Sequence, residues 1–235
     1  MRNNIIVLIL INLFISNVIT CAQVTKFKKQ KLFDIPSAKI TDINFQNDLC
    51  YIKTKDSLFI FTKDGKRKAK KKENENYNCF VKNKLFSIKN NAIYDDSNEK
   101  VIETPKEYLK NKTTKFLSFS NNNFYSCVFD TTKLYFSNSI STLKNESEPT
   151  IFCYLVGIPS GLFSDDEYLW YLYNTHDNNS NGILRKYNLK SRDLISEYEI
   201  PVINPIGLTI KGDSIYTYSN FTKEFIQLTK IGLDL

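Results

Sequence analysis

Hydrophobic and polar residues alternate along most of this chain in short runs separated by turn residues, the pattern of half-buried β-strands. The clearest stretch is Pro205-Ile-Gly-Leu-Thr-Ile, a Gly212-Asp213 turn, an aromatic-rich strand from Ile215 to Tyr218, and a further strand at residues 225–228. Weaker copies of it recur. The first set is read at residues 38–45, 49–52 and 58–61, with turns at Asn47-Asp48 and Lys55-Asp56. The second is read at 77–81, 85–88, 92–94 and 101–104. The third is expected at 115–119, 124–129 and 134–136 and, after a polar loop, 151–158. The fourth is expected at 160–164, 168–173, 183–187 and 194–200.

Aligning the sets on their aromatic second strand selects Leu49, Leu85, Phe124, Leu169 and Ile215, which lie 36, 39, 45 and 46 residues apart. Four-stranded propeller blades recur at about 40–50 residues. Ile35-Pro36, Thr104-Pro105, Ile158-Pro159 and Ile200-Pro201 are read as strand ends, because proline cannot donate to a ladder. The segment Leu32-Phe-Asp-Ile-Pro36 matches Glu197-Tyr-Glu-Ile-Pro201, an outermost strand. It precedes the first set, whereas the fifth set stops after three strands. The sequence therefore predicts an all-β, five-bladed β-propeller over residues 24–235, with residues 25–35 completing the last blade beside residues 225–228. Such closure protects strand edges that an open array would expose.

The motifs around Pro205, Gly212 and Phe225, and next around Pro159, Glu167 and Leu184, resemble the repeats of NHL and YVTN propellers. The resemblance implies architecture for the mature chain, with specific motifs only in about its last 80 residues. Those families include binding scaffolds and unrelated enzymes, so function does not follow from the likeness.

Composition agrees with strands: Tyr and Phe number 14 and 17, and aromatic residues fit pleated, half-buried surfaces. Residues 1–22 are read as a leader, with Arg2 ahead of a mostly apolar run at 5–15 that is too short to span a bilayer as a helix. Val18-Ile19-Thr20-Cys21 resembles a bacterial lipobox, with lipidation at Cys21, although Thr20 stands where Gly, Ala or Ser is usual. The alternative is cleavage before Gln23. Either route predicts export, as a periplasmic or outer-membrane lipoprotein or a secreted monomer that meets the membrane only through that lipid.

Cys50, Cys79, Cys127 and Cys153 lie in apolar runs at spacings that match no zinc pattern, and read as buried hydrophobes with at most one disulfide. The single histidine, His176, lies in the polar loop 174–182 and reads as solvated, so no catalytic triad or multi-histidine metal site is expected. No cofactor is expected. Channel carboxylates remain, namely Asp42 with Asp165 or Asp166, and Trp170 is a candidate ligand platform. The formal charge of +7 is concentrated partly at residues 63–72, where Lys66, Arg67, Lys68 and Lys70 form a candidate anion site or else a lysine-guarded edge strand. Nucleic acid is not expected, since no aromatic residues interleave that run. The leading expectation is a non-enzymatic module that binds a partner protein or a glycan at the cell envelope. The alternative is a carbohydrate-active enzyme.

Overall fold

A computed structural model describes residues 26–35, 39–54, 57–72, 77–81, 84–89, 92–95, 97–103, 112–130, 138–144, 149–175 and 179–231. The leader with Cys21, His176, residues 134–136, Pro36 and Pro105 lie outside them. Among the described residues there are twenty strands, and no helix is long and apolar enough to cross a membrane.

The strands fall into five four-stranded antiparallel sheets. The first holds β1 (Lys26–Asp34) at one edge, followed by β20 (Glu224–Ile231), β19 (Ser214–Ser219) and β18 (Pro205–Lys211). The others run in chain order. One joins β2 (Ile40–Gln46), β3 (Leu49–Thr54), β4 (Ser57–Thr62) and β5 (Arg67–Lys72); the next joins β6 (Tyr77–Val81), β7 (Lys84–Lys89), β8 (Ala92–Tyr94) and β9 (Lys100–Glu103). Then come β10 (Lys112–Ser120), β11 (Asn123–Asp130), β12 (Ser139–Leu143) and β13 (Thr150–Tyr154), and finally β14 (Ile158–Ser164), β15 (Tyr168–Asn174), β16 (Asn181–Asn188) and β17 (Leu194–Ile203).

Local chemistry makes the hairpins. Asn47 and Asp48 both take positive φ (50° and 58°), as do Asn121 and Asn122 (48° and 60°). Tight hairpin turns require this, and Asn, Asp and Gly tolerate it best. The first strands β2, β6, β10, β14 and β18 each lie against the next, and β18 lies against β2. Neighbours run parallel: Ile43 meets Gly207, the Phe45 amide donates to Thr209 Oγ1 at 3.2 Å, and Lys211 reaches Asp48 at 3.8 Å. Sheets pack face to face through clusters of buried side chains. One gathers Phe33, Phe45, Tyr216, Tyr218 and Phe225; another gathers Cys127, Ile140, Leu169 and Tyr171.

β1 pairs antiparallel with β20, from Lys26 opposite Ile231 to Asp34 opposite Glu224, with a bulge between Lys31 and Phe33. Two features of the sequence reading need correction. The third strand of the β10–β13 sheet, β12, occupies Ser139–Leu143, where the sequence predicts a polar loop. All five residues are buried, with Ser139 Oγ and Ser141 Oγ hydrogen-bonded at 3.0 Å. Pro159 and Pro201 lie inside β14 and β17 rather than at strand ends. Both strands are sheet edges, where a missing N–H costs no ladder bond.

Among the described residues three thiols are free: Cys50 and Cys127, which are buried, and Cys153, which is half-buried. Cys127 and Cys153 face Ile140 from opposite sides, two strand spacings apart and beyond disulfide reach. Burial pushes the Cys50 thiol up to about 12 and the Cys153 thiol up to about 11, so both stay protonated and unreactive at neutral pH. The side chain of Cys79 lies outside the described residues.

A candidate binding channel between the first strands

Each first strand carries a β-bulge near its start, between Ile40 and Asp42, Tyr77 and Cys79, Lys115 and Leu117, Pro159 and Gly161, and Ile206 and Thr209. A bulge inserts a residue and re-aims the side chains beside it. Gly207 supplies the positive φ (71°) in β18, whereas Phe116 adopts φ of 53° in β10, an uncommon conformation for a bulky residue. The bulges divide the space between the first strands into two mouths.

Beyond the bulges lies a cavity of about 310 Å³ walled by β2, β10, β14 and β18, including Asp42, Asn44, Ser118, Ser164 and Thr209 together with Phe45, Phe119 and Phe163. Ser118 Oγ and Ser164 Oγ are hydrogen-bonded at 2.7 Å. Before the bulges lies a second cavity of about 370 Å³, bordered by Lys39, Lys53, Lys115 and Phe116.

Asp42 sits at the level of the bulges, half-buried, with its Oδ1 accepting the Ile43 amide at 2.8 Å. Burial raises its carboxyl to about 7, against the opposing pull of that amide and of the Lys53 charge. At neutral pH it is therefore a mixed donor and acceptor.

The other acid is elsewhere. Asp165 Oδ1 accepts the backbone amides of Glu167 and Tyr168 at 2.9 and 2.7 Å, so it shapes the β14–β15 turn. Gly161 packs on Leu208, and Lys211 bridges Asp48, which places Asp165 at the level of Asp48. Asp42 lies six residues earlier on β2, roughly 20 Å away at the strand rise of about 3.3 Å per residue. The candidate acids are not brought together, and Asp166 lies in that same distant turn.

Trp170 belongs to β15, a second strand, and is half-buried against the cluster holding Leu172, Leu208 and Ile215. Its Nε1 reaches Asp165 Oδ2 at 3.5 Å, and the Lys186 ammonium lies 4.9 Å from its ring centroid. The ring packs between sheets rather than over the channel. Lys66, Arg67, Lys68 and Lys70 are exposed in and beside β5, the outer edge strand, and Lys70 lies 5.4 Å over the Phe59 ring. Among the described residues, no three His, Cys, Asp or Glu side chains are grouped to hold a metal ion. Reasoning from sequence missed Asn44, Thr209 and the bulges; the only available signal was the Gly207-Leu208 pair that interrupts alternation in β18.

No family model matches the chain, and no curated protein does. Solved structures match it in shape. The calcium-binding protein regucalcin of Agrobacterium tumefaciens superposes with a TM-score of 0.54, covering 89% of this chain and 96% of its own at 9% identity. The chain is an all-β propeller. Two further propeller structures match less closely. The Pan2 WD40 domain of Neurospora crassa has a TM-score of 0.49 at 10% identity, covering 87% of this chain and 96% of its own. The Cps50 (Swd1) propeller domain of Myceliophteria thermophila has 0.44 at 11% identity, covering 82% and 65%. Such identities speak to the propeller fold alone.

Proposed function

We propose that this propeller is a five-bladed ring sealed by β1, built from NHL/YVTN-like repeats, exported, and anchored through Cys21 or released by cleavage before Gln23. Its channel binds a neutral, hydroxyl-rich ligand, a glycan in the first instance, without chemical conversion. The observation that carries the reading is the wall of the 310 Å³ cavity. Asn44, Ser118, Ser164 and Thr209 line it together with Phe45, Phe119 and Phe163. Cavities of about this size hold small ligands, with a few polar groups fixing orientation.

Glycosidic hydrolysis is disfavoured by the position of Asp165. Carboxyl pairs in that chemistry stand about 5–10 Å apart, half or less of the separation from Asp42. Calcium is described for the regucalcin neighbour. A calcium site takes about 6–8 oxygen ligands, and Asp42 is the one carboxylate among the described residues that wall this cavity.

Calorimetric titration of the processed chain with a panel of envelope glycans tests the reading. Binding that Asn44→Ala and Thr209→Val abolish, with unfolding midpoints retained, is expected. A ligand that binds both variants as well as the parent overturns it. Turnover of a glycan by the parent but not by Asp42→Asn would instead establish the enzyme.

A further inference from the structure

The basic run at residues 63–72 is only half of a larger surface. β5 and β1 are outer strands of neighbouring sheets, and the β4–β5 turn is seated on β1. A Cβ at Gly65 would lie 2.6 Å from Phe33 Cβ, and the Phe33 and Phe61 rings are 5.3 Å apart. Lys26, Lys28, Lys29 and Lys31 on β1 are all exposed, as are Lys63, Lys66, Arg67, Lys68 and Lys70 on and before β5. Against these nine cations stand Asp34, Asp48, Asp64 and Glu224, with Asp48 beside Lys31, Lys63 and Lys68. Lys31 pairs with Asp34 at 2.7 Å and with Glu224 at 3.5 Å. The wall therefore carries five of the formal net charge of +7.

We propose that this composite wall is a docking face for an anionic phospholipid surface. Its shape favours an extended partner. β1 alone spans about 30 Å at 3.3 Å per residue, several Debye lengths at physiological salt, so one small anion meets only part of the charge. The chemistry favours headgroups over nucleic acid: eight of the nine cations are lysines, and the local rings are occupied. Phe27 packs edge-on to Tyr198 at 6.1 Å, and Phe59 lies under Lys70, so neither offers a stacking platform.

Position adds a further argument, which rests on the reading of Cys21 as lipidated. Lys26 is five positions after Cys21, a reach of at most about 18 Å. A lipid there would hold the β1 edge, and with it the basic wall, close to the membrane surface.

The test uses residues 23–235, which contain every described strand with its pairing partners. The protein is sedimented with phosphatidylcholine vesicles, with and without phosphatidylglycerol. Binding to the anionic vesicles alone, weakening as salt rises, is expected. Lys28→Glu with Lys68→Glu should weaken it by about tenfold or more, given the contribution of each lysine near an anionic surface. Lys144→Glu with Lys190→Glu, the same charge change on other walls, should leave a clear preference for anionic vesicles. Equal loss in both double variants, equal binding to neutral vesicles, or tighter binding to single-stranded DNA at the same salt overturns the proposal. Circular dichroism confirms that each variant is folded. Since the chain tested has no acyl group, the result is independent of lipidation, which the intact mass of the exported protein decides, and of glycan binding in the channel.

Discussion

Two outer strands solve the same problem differently. β17 and β1 occupy equivalent edges of neighbouring sheets and carry matching segments, with Ile200 and Ile35 both buried. A turn of five residues delivers β17 to β16, whereas 189 residues separate β1 from β20. For a flexible chain, closing the longer loop costs about 3 kcal/mol more. The contacts answer that difference. In β17 the residue two before the isoleucine is Tyr198, half-buried, and the cross-strand contacts are the Arg185–Glu197 pair and Asn181 with Glu199 at 2.8 Å. In β1 the matching residue is Phe33, buried and stacked on Phe225 at 5.2 Å. The Ile35 amide donates to the Lys223 carbonyl at 3.0 Å, and the Tyr218 hydroxyl to the Ile35 carbonyl at 3.3 Å. Burying one large apolar side chain is worth about 1.5–3 kcal/mol, enough to offset the missing hairpin. Where the chain supplies no turn, packing must supply the proximity.

The sharpest way to break this comparison is to truncate the two matched rings. Phe33→Ala should destabilise by about 3–5 kcal/mol in urea unfolding, and Tyr198→Ala by about 1–2 kcal/mol, as expected of a half-buried ring. Equal losses would show that β1 needs no special anchor. Next is Gly65, whose φ of +83° and closeness to Phe33 leave no room for a methyl group. Gly65→Ala should cost about 1–3 kcal/mol, and hydrogen exchange should show β1 opening before β17.

A third test follows β1 into β2, where Asp42 lies. Its folded pKa, about 7, is raised by burial above the ordinary aspartate value of 3.8. The native state therefore holds a proton that the unfolded chain has released between those values. Stability should fall as pH rises from about 4 to 7, and Asp42→Asn should flatten that decline in a pH series of thermal midpoints. The smallest effect expected is at the hairpin-borne edge. Arg185→Ala removes a partly exposed ion pair and should cost no more than about 1 kcal/mol in the same urea assay.

Much of the fold was legible in the sequence, because aromatic and branched residues alternate wherever a strand faces a neighbouring sheet. Ile93, Leu184 and Tyr218 are examples, and all are buried. The same logic explains the failure at β12, where Ser139, Ser141 and Thr142 fill a buried strand with small hydroxyl side chains, the two serines hydrogen-bonded to each other. Hydrophobicity then says nothing about burial. Proline misled because Pro159 and Pro201 are compatible with edge strands as well as with strand ends. The candidate site was less legible still. Whether Asp42 meets Asp165 depends on the level of each residue along its first strand, which is set by packing such as Gly161 on Leu208 rather than by any local motif. Trp170 was conspicuous by type, but strand order placed its ring between sheets.

Lys26 stands directly opposite Ile231 in the β1–β20 ladder, so the outer limits of the described fold are neighbours about 5 Å apart. The order in which the sheets are encoded is thus a matter of where the gene happens to be cut. A few residues joining Lys26 to Ile231, with new ends opened in the turn between Asn188 and Leu194, would yield a circular permutant with the same sheets. In that permutant β17 would be the strand without a hairpin, and Tyr198 would inherit the task now performed by Phe33.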